Sequence, residues 1–189
     1  MKVMYIDHYD SFANTIVAYF VNNGAEVSIY KSDCSLDVIE KENPDLIVLG
    51  PGPKGPKEAG NYLDIIDKFH KTKPIFGICL GFQALMEYFG EEVKPLKEII
   101  HGSATKVSND GKTIFKNIIN DEKFARYHSL GVLDVPKCFE VSAKIGDIVM
   151  AARHKEFKIE GIQFHPESIL SMHDDSGNKL IKNVMGCLK

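Results

Sequence analysis

Through the first half of the chain, short continuous apolar runs alternate with longer segments whose apolar residues recur at helical spacing. Val3–Asp7, Glu26–Tyr30, Asp45–Leu49 and Ile75–Ile78 read as strands bounded by polar or glycine-rich turns. Between them, Ser11–Asn22 puts Phe12, Ile16, Tyr19 and Phe20 on one helical face, and Gly24 closes that helix at its carboxyl end. Leu36–Glu42, a segment from about Glu58 to His70, and Leu80–Phe89 read as three more helices. Strict alternation of this kind predicts a parallel sheet with helices on both faces. The second half changes character. Ala104–Ser108, Phe139–Ala143, Ile148–Arg153 and Phe157–Gln163 read as strands separated by turn residues, an antiparallel extension closed by an amphipathic helix over Ser176–Leu188. The fold expectation is therefore α/β, doubly wound, with a mostly parallel central sheet and an antiparallel C-terminal extension. No repeat, low-complexity stretch or linker interrupts the pattern, so residues 1–189 are expected to form one domain.

Composition narrows the function classes. A net charge of −3 over 189 residues leaves no electrostatic footprint for nucleic acid or an anionic membrane. The apolar runs fall far short of the ~20 residues that span a bilayer. The opening MKVMYIDHYD turns polar by Asp7, unlike a secretory leader. Cys34, Cys79, Cys138 and Cys187 show no CxxC pairing, and a chain of this size needs no disulfide staples, so reduced thiols and a cytoplasmic location are expected. No two histidines have the i, i+4 spacing of a helix metal site and no cysteine cluster exists, so neither a metal nor another cofactor is expected.

The chemistry concentrates in PIFGICLGFQAL, residues 74–85. An apolar run ends at Ile78, a helical pattern begins at Leu80, and Cys79 sits at the joint between Gly77 and Gly81. Side-chain-free positions there let the strand turn sharply and pass close to the helix, the arrangement of a nucleophile elbow with sulfur in place of a hydroxyl. The positive end of the following helix favours thiolate. GPGPKGP at 50–56 directly follows the third strand; its backbone suits either a tight turn or an oxyanion-binding loop working with the N–H of Leu80. QFHPES at 163–168 offers His165 as a base, with Glu167 able to accept from Nδ1 and leave Nε2 for the thiol. In RYHSL, residues 126–130, Ser129 and Leu130 can present backbone groups to a substrate, whereas His128 reads better as a packing residue.

Taken in order, DHYDSF at 7–12, GPGPKGP at 50–56, GICLGFQ at 77–83, HG at 101–102, RYHSL at 126–130 and GIQFHPESIL at 161–170 resemble the class I, or triad, glutamine amidotransferases over the whole chain. Within that family the sequence looks most like the small subunits of anthranilate synthase and of aminodeoxychorismate synthase. The resemblance implies a flavodoxin-like glutaminase fold. It implies that Cys79 attacks the glutamine carboxamide, that His165 activates the thiol and protonates departing ammonia, and that Glu167 orients the imidazole. It further implies an oxyanion and substrate site formed by Gly52, Pro53 and Leu80, with Gln83, Ser129 and Leu130 holding L-glutamine. Ammonia would pass to a chorismate-using synthase subunit, anthranilate synthase being preferred and aminodeoxychorismate synthase the alternative. Two other readings stay open: a γ-glutamyl peptidase-like hydrolase, and a catalytically silent subunit that only stabilises a synthase. The chain departs from the family pattern at four places: Phe82 replaces histidine, Lys54 replaces glycine, Thr15 replaces asparagine, and Ser103, Ala104 and Thr105 replace Lys-Thr-Ser.

Overall fold

The computed structural model describes residues 1–171 and 175–188, and the side chains of all of these except 98 and 99. Its strands are β1 (Lys2–Asp7), β2 (Glu26–Lys31), β3 (Leu46–Leu49), β4 (Ile75–Ile78), β5 (Lys94–Asn109), β6 (Glu122–Gly131), β7 (Phe139–Ile145), β8 (Ile148–His154) and β9 (Ile159–Ile162). Its helices are α1 (Ala13–Asn22), α2 (Leu36–Glu42), α3 (Tyr62–Phe69), α4 (Leu80–Tyr88) and α5 (Ser176–Cys187). All nine strands join one sheet in the order β2-β1-β3-β4-β9-β8-β7-β5-β6. The first five in that order run parallel, and the remainder pair antiparallel.

The parallel strands are apolar along their whole length because both faces are covered. Val3, Tyr5, Leu46, Val48, Phe76 and Ile78 pack on one side with α1 and α5. Their strand neighbours Met4, Ile6, Ile47, Leu49 and Ile75 pack on the other with α3 and α4. Side-chain alternation along each strand thus feeds two cores at once.

Three features differ from the sequence expectation. The segment 157–163 was expected in the antiparallel extension, but β9 pairs parallel to β4 and antiparallel to β8, making it the hinge between the two halves of the sheet. Helix α3 starts at Tyr62 because a short 3-10 turn at Pro56–Glu58 and Gly60, at φ +60°, come first. β6 was not anticipated at all, and β5 extends well before Ala104. β6 buries Arg126 and His128 beside Phe124 and Ala125, so it lacks the apolar alternation that marks a half-buried strand. β5 is broken by bulges between Pro95 and Ile100 and between His101 and Ser103, with Gly102 at φ 72°. Ser103, Ala104 and Thr105 follow the second bulge and pair with Arg126, Ala125 and Phe124. Among the described residues no helix is long and apolar enough to cross a membrane.

Candidate active site

The carboxyl ends of β1, β3, β4 and β9 open onto one edge of the sheet, where sites form in doubly wound folds. Cys79 stands between β4 and α4 with φ 53° and ψ −102°, a conformation that non-glycine residues adopt only when their surroundings enforce it. The enforcement is visible. Cys79 donates its backbone N–H to the Ile162 carbonyl at 2.8 Å, and its own carbonyl accepts from Gln83 N at 3.0 Å. The turn also requires bare backbone around it: a Cβ at Gly77 would lie 2.6 Å from the Gly81 carbonyl carbon, and one at Gly81 would lie 2.1 Å from the Leu49 carbonyl oxygen. Leu80 N–H falls in the first turn of α4, where no intrahelical acceptor is available and an anion is favoured.

The 50–55 loop is pressed against β1 by the same logic. A Cβ on Gly50 would meet the Tyr5 hydroxyl at 2.3 Å, and one on Gly52 would meet the His8 carbonyl oxygen at 2.6 Å. Lys54 holds φ 68°, the left-handed conformation for which glycine is suited, while its ammonium pairs with Glu58 at 3.2 Å. The lysine therefore keeps the backbone geometry that a glycine would give. Gly55 faces the Leu130 side chain, bringing the loop beside RYHSL.

His165 and Glu167 are both about 2% exposed, and Nδ1 of the imidazole lies 2.6 Å from Glu167 Oε1. Nε2 is buried and has no hydrogen-bond partner of ordinary geometry. Burial alone would push the His165 pKa down, yet the neighbouring Cys79 sulfur and the Glu167 carboxylate hold it well above its usual value. Folding thus brings a sulfur, an imidazole and a carboxylate into one buried group. The His165 backbone is clamped from two elements: its N–H donates to Ala125 O of β6 at 2.9 Å, and its carbonyl accepts at 2.6 Å from Ser171 Oγ, which itself accepts from Ala125 N–H. Phe12 and Tyr127 wall the ring, each with its centroid 5.2 Å away. DHYDSF places Phe12 there through local turns, since Asp10 N–H donates to Asp7 Oδ1 and Phe12 N–H donates to Asp10 Oδ1.

Gln83 is buried on α4 and donates to the Leu130 carbonyl at 3.1 Å; Ser129 is exposed and Pro53 lies on the open side of the loop. His128 supports this corner as a buried packing residue. Arg126 Nε–H can only donate, and it lies 3.0 Å from His128 Nε2, so Nδ1 carries the hydrogen and donates to Leu130 O at 2.8 Å. Burial pushes the His128 pKa down to about 4, opposed by the bond to Leu130 and aided by Arg126 and His165. A group whose folded pKa lies below its unfolded one stabilises the fold above the unfolded value, near 6.5, and loses that stability as pH falls through the folded one. His128→Gln keeps a donor and an acceptor but cannot titrate. Between pH 7 and pH 4 the native chain should lose about 3 kcal/mol more unfolding free energy than this variant, as measured by urea denaturation. Equal losses would show that His128 protonation does not oppose folding.

Two features escaped sequence reasoning. Gln163 places its carboxamide nitrogen 3.5 Å from Cys79 Sγ. Phe82, unexplained as a departure, is fully buried and packs over Gly161, where a Cβ would come within 2.9 Å of its ring. Among the described residues no cluster of histidine, cysteine or carboxylate side chains could hold a metal ion.

The glutamine amidotransferase class-I family matches residues 4–184. The chain is 47% identical to anthranilate synthase component 2 of Methanocaldococcus jannaschii over 189 residues, covering 96% of this chain and 95% of that protein. It is 41% identical to the aminodeoxychorismate/anthranilate synthase component 2 of Bacillus subtilis, covering 96% and 94%. A glutamine amidotransferase structure from Thermotoga maritima superposes with a TM-score of 0.75 at 18% identity, covering 100% of this chain and 96% of the other, which speaks to the fold.

Proposed function

This chain belongs to the class I glutamine amidotransferases, and from that premise we propose that it hydrolyses L-glutamine through a Cys79 thioester and delivers ammonia to a chorismate-using synthase subunit that makes anthranilate. The observation that carries the reading is the buried His165–Glu167 pair at 2.6 Å beside the strained Cys79 elbow. The raised His165 pKa favours an imidazolium, the state left once the base has taken the thiol proton.

The steps follow from the residues. The Cys79 sulfur attacks the side-chain carboxamide carbon of glutamine, and the carbonyl oxygen gains negative charge. Backbone N–H groups at Gly52 and Leu80, with Pro53 stiffening the loop, stabilise that charge. His165 gives its Nε2 proton to the departing nitrogen, so ammonia leaves and a γ-glutamyl thioester remains. Water, deprotonated by His165, attacks the thioester and releases glutamate, returning the sulfur. Glu167 accepts from Nδ1 throughout, holding the tautomer and stabilising the imidazolium. Gln83, Ser129 and Leu130 hold the amino-acid end of the substrate. One domain, residues 1–189, carries these parts.

Three exposed apolar side chains, Tyr9, Ile169 and Leu170, stand on the segments that follow β1 and Glu167, a surface suited to a partner at the site mouth. Anthranilate synthase is preferred because the 47% identical relative carries that name, and the Bacillus subtilis name, which covers both reactions, keeps aminodeoxychorismate synthase as the second reading. The test is covalent. A glutamine-like electrophile should label Cys79 and leave Cys34, Cys138 and Cys187 untouched. No labelling of Cys79, with either synthase subunit present, would overturn the proposal. Reconstitution with each synthase in turn, scoring glutamine-dependent anthranilate or aminodeoxychorismate, separates the two partners.

A further inference from the structure

The Cys79 sulfur has a second buried neighbour besides His165, and the orientation of that neighbour follows from the groups around it. The Leu130 carbonyl can only accept, and the Gln83 carboxamide lies 3.1 Å from it, so Gln83 must turn its NH2 that way. The same nitrogen lies 3.0 Å from the Gln163 carboxamide oxygen. With one hydrogen on Leu130 O, its other hydrogen is satisfied only if Gln163 presents oxygen to it. The Gln163 NH2 is then left facing Cys79 Sγ at 3.5 Å. Leu130 O is held in turn by His128, and His128 by Arg126, so the series is anchored in β6. Gln163 is fully buried, where a hydrogen bond is electrostatically stronger than in water.

We propose that Gln163 donates a hydrogen bond to the Cys79 sulfur, stabilising the thiolate and fixing its direction of attack, with Gln83 as the positioning residue that orients the Gln163 carboxamide. A hydrogen bond to the charged form of a thiol favours that form. The bond serves both halves of the cycle: it aims the sulfur before attack, and it receives the thiolate again when water displaces it. It also gives Gln83 a task besides touching glutamine, because the same NH2 that meets the substrate corner orients the donor on the nucleophile. The inference rests on the proposed function in one respect, that the Cys79 sulfur is the nucleophile.

Two variants of the full chain test it. Gln163→Met keeps the length and unbranched shape but removes the donor; Gln163→Glu keeps the shape and places a carboxylate against the sulfur. The readout is the rate of Cys79 alkylation by iodoacetamide as a function of pH, with urea denaturation reporting that each variant is folded. In Gln163→Met the pH profile of alkylation should move to higher pH, with a several-fold slower rate at neutral pH. Gln163→Glu should be slower still, because the carboxylate repels the thiolate. Glutamine-dependent kcat in the synthase complex should fall about tenfold with KM little changed, a split that loss of substrate binding would not produce. An unchanged alkylation midpoint in folded Gln163→Met overturns the inference while leaving Cys79 as the nucleophile. If Cys79 of the native chain reacts no faster than the exposed Cys187, the nucleophile reading fails and this inference falls with it.

Discussion

Cys79→Ala is expected to lower glutamine-dependent synthesis by the reconstituted complex at least about 10³-fold, while ammonia-dependent synthesis by the partner changes less than about twofold. The asymmetry is the informative part. Without the sulfur no thioester forms, and the imidazole of His165 has no acyl acceptor to activate. The fold should survive, because alanine adopts the φ 53° conformation at a cost similar to that of cysteine, and the backbone bonds from Cys79 to Ile162 and Gln83 need no side chain. Steady-state rates with glutamine and with ammonium salt, measured on the same preparation, decide the matter. Loss of both activities would mean that the residue serves assembly. Cys79→Ser sharpens the test, since a hydroxyl holds its proton far more tightly than a thiol. Unchanged glutamine-dependent synthesis in that variant would favour the silent-subunit reading.

Gly81→Ala should destabilise the fold by about 3 kcal/mol or more. The added Cβ would stand 2.1 Å from the Leu49 carbonyl oxygen, with the Leu49 Cβ only 2.8 Å away. That neighbour is the backbone of a central strand, buried on both faces, and it cannot move as a flexible side chain would. Relief would have to come from pushing α4 off β3, which would shift Leu80, Gln83 and the elbow together. Gly186→Ala is the control: nothing lies within 4 Å of its added Cβ, and in the last turn of α5 alanine should stabilise the fold slightly, by up to about 0.5 kcal/mol. Urea denaturation of the two variants should therefore move the midpoint in opposite directions. A Gly81→Ala midpoint near that of the native chain would show that the elbow is looser than its geometry implies.

These cases mark where sequence reasoning reaches and where it stops. The strands of the first half were legible because a sheet covered on both faces needs unbroken apolar runs, and Leu36–Glu42 and Ile75–Ile78 fall on the observed helix and strand. β6 was not, because its inward positions are filled by Arg126 and His128, whose burial depends on partners distant in the chain. β9 was legible as a strand of the antiparallel extension, as its pairing with β8 bears out, but not as the parallel neighbour of β4, since a short apolar segment carries no mark of the direction in which its neighbour runs. Lys54 stood in the sequence only as a lysine in place of glycine, yet it adopts the left-handed backbone that glycine would. Phe82 read as a bare departure, whereas the absent side chain of Gly161 makes room for it.

By itself the sequence determined which chemistry this protein can attempt. A cysteine between two glycines at a strand-to-helix joint, and a histidine two positions before a carboxylate, are local statements that covalent geometry and hydrogen-bond reach make readable. Only the tertiary structure decided how that chemistry is held. The meeting of Cys79 with His165, the clamping of His165 by β6, and the placement of the Gln163 amide on the sulfur all join residues far apart in the chain. Such contacts arise from strand order and close packing, and neither leaves a periodic trace along the sequence.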